Sequence, residues 1–158
     1  MHEIIEPVAF LVLGREESLF CDVKDLLGQP YMQENNCILN LCCDSKKIDF
    51  FIQKLNENIV KVANNCVIID GLLPEQQLKD LVTALKANQA FLSLPIIVLA
   101  DIHNTSLINY LYRQHVSAVV AQPLQQIAFT GTFKVILNYW ISIAKLPPYA
   151  IIRENNIF

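Results

Sequence analysis

Asp70 is the side chain best placed to do chemistry. It closes the apolar run Cys66-Val67-Ile68-Ile69 and leads into Gly71-Leu72-Leu73-Pro74. A carboxylate at such a point can offer hard oxygens to a cation. It can equally accept backbone N–H groups where the chain turns into a helix. Two later runs end at comparable points, Pro95-Ile96-Ile97-Val98-Leu99-Ala100-Asp101 and Val119-Val120-Ala121-Gln122-Pro123-Leu124. Other chemistry is thinly represented. His2, His103 and His115 lack metal-ligand spacing and read as surface histidines. Ser106 and Ser117 sit in no Gly-x-Ser-x-Gly elbow, and Gly14 lacks the further glycines of a phosphate cradle. The five cysteines, Cys21, Cys37, Cys42, Cys43 and Cys66, are an odd number without zinc-like spacing. Cys37 and Cys66 read as small buried hydrophobes, and the Cys42-Cys43 pair as reduced cytoplasmic thiols.

The elements that must position Asp70 follow from the pattern of apolar residues. Near-continuous apolar runs at Val8 to Leu13, Cys37 to Cys42, Cys66 to Ile69, Pro95 to Leu99 and Ser117 to Ala121 predict strands covered on both faces. Helical spacing lies between them. Leu19, Val23, Leu26 and Leu27 share one face before Gly28 and Pro30. Ile48, Ile52, Leu55, Ile59 and Val62 follow a cap at Asp44 or Ser45. Leu78, Leu81, Val82 and Leu85 follow Pro74, a weaker stretch runs from about Thr105 to His115, and the longest runs from Leu124 to Ala144. Five alternating β and α units predict a flavodoxin-like doubly wound α/β sandwich of three layers. Its parallel sheet has the order 2-1-3-4-5, and its crevice lies at the carboxyl ends of the strands. A single domain spans 1–146, and Pro147 opens a tail over 147–158.

Composition narrows the classes of function. The chain has 158 residues, enough for one domain with a substantial core. At 53% hydrophobic and 17% charged it is not a disordered chain. No apolar run reaches the roughly 18 residues of a membrane helix, and the acidic start Met1 to Glu6 is no signal peptide. A net charge of −3, without a basic cluster beyond Lys46-Lys47, argues against nucleic acid as a partner.

At this point the sequence resembles the receiver domains of two-component signalling. That family carries a phosphoacceptor Asp, a following Pro, a Thr or Ser and a Lys-Pro pair, at spacings that here fall on Asp70, Pro74, Ala100 and Gln122-Pro123. The match spans residues 8 to 144. The long segment before Asp70 and the Trp140…Leu146-Pro147-Pro148 ending are similar to single-domain receivers that partner phytochrome-type histidine kinases. The resemblance implies that Asp70 is the phosphoacceptor position, Pro123 a cis-proline candidate and a sensor histidine kinase a possible partner. It also exposes four departures. The acidic pair expected after the first strand is Gly14 and Arg15, which reverses local charge and disfavours Mg²⁺, so no cofactor is expected. Glu16 and Glu17, with Asp70, are the alternative metal ligands, and Arg15 can instead form an ion pair with Asp70. Ala100 lacks the hydroxyl that senses phosphate, Gln122 lacks the lysine's charge, and Val119 replaces the switch aromatic.

The expected function is therefore that of a pseudo-receiver. It is a non-enzymatic, cytoplasmic signalling protein that works through protein contacts rather than phosphorylation. Two alternatives stand beside it: a working phosphoacceptor, and a sensor of a small ligand in the strand-end crevice. The last helix is expected to turn Ile127, Gly131, Val135 and Tyr139 towards the sheet. Phe129, Phe133, Ile136, Leu137, Trp140 and Ile141 would then form a homodimer interface, the face through which receivers often pair.

Overall fold

The computed structural model describes residues 8–14, 37–58, 65–71, 73–122 and 126–143, with backbone alone for 126–130 and 142–143. Its five strands fall on the five apolar runs: β1 (Val8–Gly14), β2 (Cys37–Cys43), β3 (Cys66–Asp70), β4 (Ile96–Ala100) and β5 (Ala118–Ala121). All pair in parallel, in the order β2-β1-β3-β4-β5. Register brings the carboxyl ends together along one rim, with Gly14 opposite Cys43, Asp70 opposite Leu99 and Ala100 opposite Ala121.

Four helices are described: α1 (Ser45–Asn56), α2 (Glu75–Ala87), α3 (Thr105–Arg113) and α4 (Gln126–Asn138), the last running into a π turn at Tyr139–Ile143. The helix expected around Leu19 to Leu27 and the tail after Pro147 lie outside the described residues. Asp44 caps α1 as expected, its Oδ1 accepting the N–H groups of Lys46 at 2.8 Å and Lys47 at 3.1 Å. Pro74 holds the N-cap position of α2 without a side-chain bond. Asn104 caps α3 by accepting the Leu107 N–H at 3.2 Å. The far end of α3 closes in a Schellman turn: His115 takes φ 65°, its N–H reaches Tyr112 O, and Val116 N–H reaches Leu111 O.

Side-chain alternation along the strands divides the interior into two cores. On one face Leu11, Leu13, Val67, Ile69, Val98 and Ala100 meet Ile48 and Leu55 of α1, Leu78, Leu81 and Leu85 of α2 and Leu107 and Leu111 of α3. On the other face Phe10, Val12, Ile68, Ile97 and Leu99 meet Phe133, Ile136 and Leu137 of α4. Helices on both faces bury β3 and β4 completely, as their apolar runs require. The edge strands differ. Among the described residues β2 pairs with β1 alone and is mostly half-buried, with Ile38 40% exposed, and β5 is half-buried or exposed along its length. Continuous apolarity therefore meant burial on both faces in the middle of the sheet and not at its edges.

The rotation of α4 corrects the expected interface. Phe133 and Leu137 are fully buried and Ile136 nearly so, all against the sheet, while Trp140 and Ile141 pack partly on the same core. Gly131, Val135 (68% exposed) and Tyr139 (47%) face outwards instead. Phe133, Leu137 and Trp140 form the larger stripe at helical spacing. Burying a large side chain returns roughly 1.5–3 kcal/mol, so the sheet takes the aromatic and leucine side and leaves the smaller valine side open. The side chain of Phe129 lies outside the described residues.

α1 and α2 are also joined by a polar contact that apolar periodicity does not reveal. The buried Gln77 amide nitrogen donates to Ser45 O at 2.9 Å and Asp49 Oδ1 at 2.9 Å, with Ser45 Oγ at 3.1 Å. Asn88 similarly ties the end of α2 to α1, donating to Leu55 O at 3.2 Å.

Candidate functional site

The candidate site is the rim at the carboxyl ends of the strands. Asp70 is the last residue of β3 and is 1% exposed. It sits there because its strand is buried from Cys66 onwards and ends at the crevice. Its backbone carbonyl accepts the Leu73 N–H at 3.3 Å, which starts the turn towards α2. Pro74 occupies the N-cap of α2 and makes no side-chain capping bond.

Gly71 fixes Asp70 against β4. Its N–H donates to Leu99 O at 2.6 Å, and a Cβ added there would overlap that oxygen and lie 3.0 Å from Ala100 Cα. Only a residue without a side chain permits this approach. Ala100 is fully buried, its methyl part of the core between the sheet and α1–α3, and its carbonyl accepts the Gln122 N–H at 2.9 Å. The rim therefore brings Asp70, Gly71, Ala100 and Gln122 together, linked through β4. Gln122 is half-buried, and its side-chain oxygen is buried without a hydrogen-bond partner among the described residues. At that position the side chain supplies an amide and no charge.

The remaining expected residues are distributed as follows. Gly14 is buried, and its carbonyl accepts the Asp44 N–H at 3.1 Å, tying β1 to the turn after β2. Arg15, Glu16, Glu17 and Pro123 lie outside the described residues, as does any Arg15–Asp70 ion pair. Val119 is half-buried against the core, and its N–H donates to the Tyr112 hydroxyl oxygen at 3.1 Å. Asp101 is exposed and accepts the His103 N–H at 2.9 Å, so it closes a turn at the rim. His103 and His115 are exposed. Sequence reasoning missed Tyr112, because an exposed tyrosine on a short helix carries no sign that it bonds a strand.

Among the described residues no three His, Cys, Asp or Glu side chains converge as a metal site. A hard divalent cation needs several oxygen ligands, and the described rim offers it the Asp70 carboxylate. The other candidate ligands, Glu16 and Glu17, lie outside the described residues. Burial pushes the Cys66 thiol far up and that of Cys37 up to about 11, which keeps both protonated and unreactive near neutrality.

No family model and no curated protein matches this chain. Solved structures do match it. The phosphorylated cyanobacterial phytochrome response regulator RcpA superposes with a TM-score of 0.73 at 15% identity, over 90% of this chain and 99% of its own. The Mn²⁺-bound response regulator Rcp1 gives 0.67 at 19% identity, over 89% and 99%. The receiver domain of the sensor histidine kinase PA1611 from Pseudomonas aeruginosa, with magnesium coordinated in its active-site cleft, gives 0.59 at 13%, over 86% and 98%. The chain has the receiver fold.

Proposed function

We propose that this chain is a signalling protein of the two-component type that acts through protein contacts, with little or no phosphorylation of Asp70. The observation that carries this reading is the rim around Asp70. Ala100 puts a buried methyl where a hydroxyl is needed, and Gln122 puts a neutral amide where a cation is needed. Phosphoryl transfer depends on charge neutralisation and positioned donors at the transferred group. The described rim offers one neutral amide. A histidine kinase or another protein is the partner class, and the exposed side of α4, with Val135 and Tyr139, is the surface for a second copy. A monomer by light scattering at high micromolar concentration refutes that pairing.

The test of the main reading uses the full chain with Mg²⁺ and a small acyl phosphate, read by intact mass with Asp70→Asn as control. The expected spectrum lacks a phosphoryl adduct. Stoichiometric acid-labile phosphate that disappears in Asp70→Asn overturns the proposal. It would establish the second reading, a working phosphoacceptor, which is favoured by the retention of Asp70 at the strand end.

A further inference from the structure

α3 is a nine-residue helix held from both flanks by tyrosines two positions apart. At about 100° per residue, Tyr110 and Tyr112 leave the helix on opposite sides of Leu111, which is fully buried beneath it. Tyr110 reaches α2. Its hydroxyl lies 3.4 Å from Thr83 Oγ1, and Lys79 Nζ sits 4.9 Å from its ring centroid. Tyr112 reaches β5, accepting the Val119 N–H at 3.1 Å.

The second contact falls on an open sheet edge. Among the described residues β5 pairs only with β4, so an N–H on its far side has no described strand to donate to. The Tyr112 oxygen satisfies that donor and spans helix and strand across seven residues. Geometry at the end of α3 supports the reach. The Schellman turn at His115 reverses the chain within three residues, so that Val116 is buried and Val119 returns alongside the helix. Ser117 secures the start of the strand, its N–H donating to Ile96 O at 2.8 Å and its Oγ accepting the Ile96 N–H at 3.3 Å.

We propose that Tyr112 is a latch that fixes α3 over the open edge of β5, so that the surface shared by α3 and β5 keeps one arrangement regardless of Asp70. Across the sheet the register runs from Asp70 to Leu99 and Val120, and the neighbouring Ala100 and Val119 are apolar too. Ala100 has a methyl and Val119 a branched side chain packed on the core, so neither side chain can exchange a hydrogen bond with the rim. The position of α3 is set by Leu107 and Leu111 below and by the two tyrosines at its flanks. This inference does not depend on whether Asp70 accepts phosphate.

Hydrogen exchange of the Val119 amide in the full-length chain, followed by NMR, tests the latch. Tyr112→Phe keeps the ring and removes the acceptor, and it is expected to speed exchange at Val119 by about fivefold or more, the scale of one net hydrogen bond. Tyr110→Phe and Asp70→Asn are expected to leave that rate within about twofold. An unchanged rate in Tyr112→Phe overturns the proposal. So does an equal acceleration in Tyr110→Phe, which would mean general fraying of α3, or in Asp70→Asn, which would mean coupling to the rim. Because no phosphodonor is involved, failure here is distinct from failure of the functional reading.

Discussion

Replacing Gly71 by alanine tests how Asp70 is held. The added Cβ would overlap the Leu99 carbonyl oxygen and approach Leu99 C and Ala100 Cα to 3.0 Å each, where ordinary contact begins at 3.4 Å. All three atoms belong to backbone, so no rotamer change relieves the clash. The ends of β3 and β4 must separate instead, which stretches the Gly71 N–H bond to Leu99 O, now 2.6 Å. Overpacking of this kind costs roughly 1–3 kcal/mol, and a lost hydrogen bond about 0.5–1.5 kcal/mol. Together they amount to about 2–4 kcal/mol, a large share of the roughly 5–15 kcal/mol that holds a domain folded. Gly131→Ala is the paired control. That glycine lies in α4 with nothing within 4 Å of an added Cβ, so alanine is expected to stabilise by up to about 1 kcal/mol. Urea unfolding measures both. At a slope of about 2 kcal/mol per molar, Gly71→Ala moves the midpoint down by roughly 1–2 M with the slope unchanged. A loss below about 0.5 kcal/mol for Gly71→Ala, or an equal loss for Gly131→Ala, would refute the argument that backbone contact between β3 and β4 dictates glycine at position 71.

Two further outcomes are expected. His115 adopts φ 65° at the end of α3 with its side chain exposed, so His115→Gly relieves left-handed strain and is expected to raise stability by about 1 kcal/mol, read from the same unfolding curves; a decrease would refute the strain argument. The Lys47 and Lys46 N–H groups hold the Asp44 carboxyl below its usual range. The folded pKa lies below the unfolded one, so the stabilisation is complete above the unfolded pKa and is lost as pH falls through the folded value. The stability gap between the native chain and Asp44→Ala should therefore be present at neutral pH and close on acidification; a gap independent of pH means the cap does not act through its charge.

The strands, their parallel order and the place of Asp70 at a strand end could be read from the sequence alone. Runs such as Val67-Ile68-Ile69 and Ile96-Ile97-Val98-Leu99 satisfy one physical condition, burial on both faces, and short polar joints separate them from helical stripes. The caps at Asp44 and Pro74 and the substitutions at Ala100 and Gln122 were equally legible, because each depends on residue type at a fixed local spacing. The direction in which α4 faces was not. Its apolar residues lie on more than one side, and only the sheet's demand for Phe133 and Leu137 decided that Val135 and Tyr139 should remain outside. Half-burial of β2 and β5 likewise follows from their place at the sheet edges, which composition does not encode. The Gln77 bridge, the close approach at Gly71 and the Tyr112 bond to β5 join residues brought together by the fold. Local sequence fixes which backbone groups a residue can satisfy nearby. Distant donors and acceptors find partners only once the layers have packed.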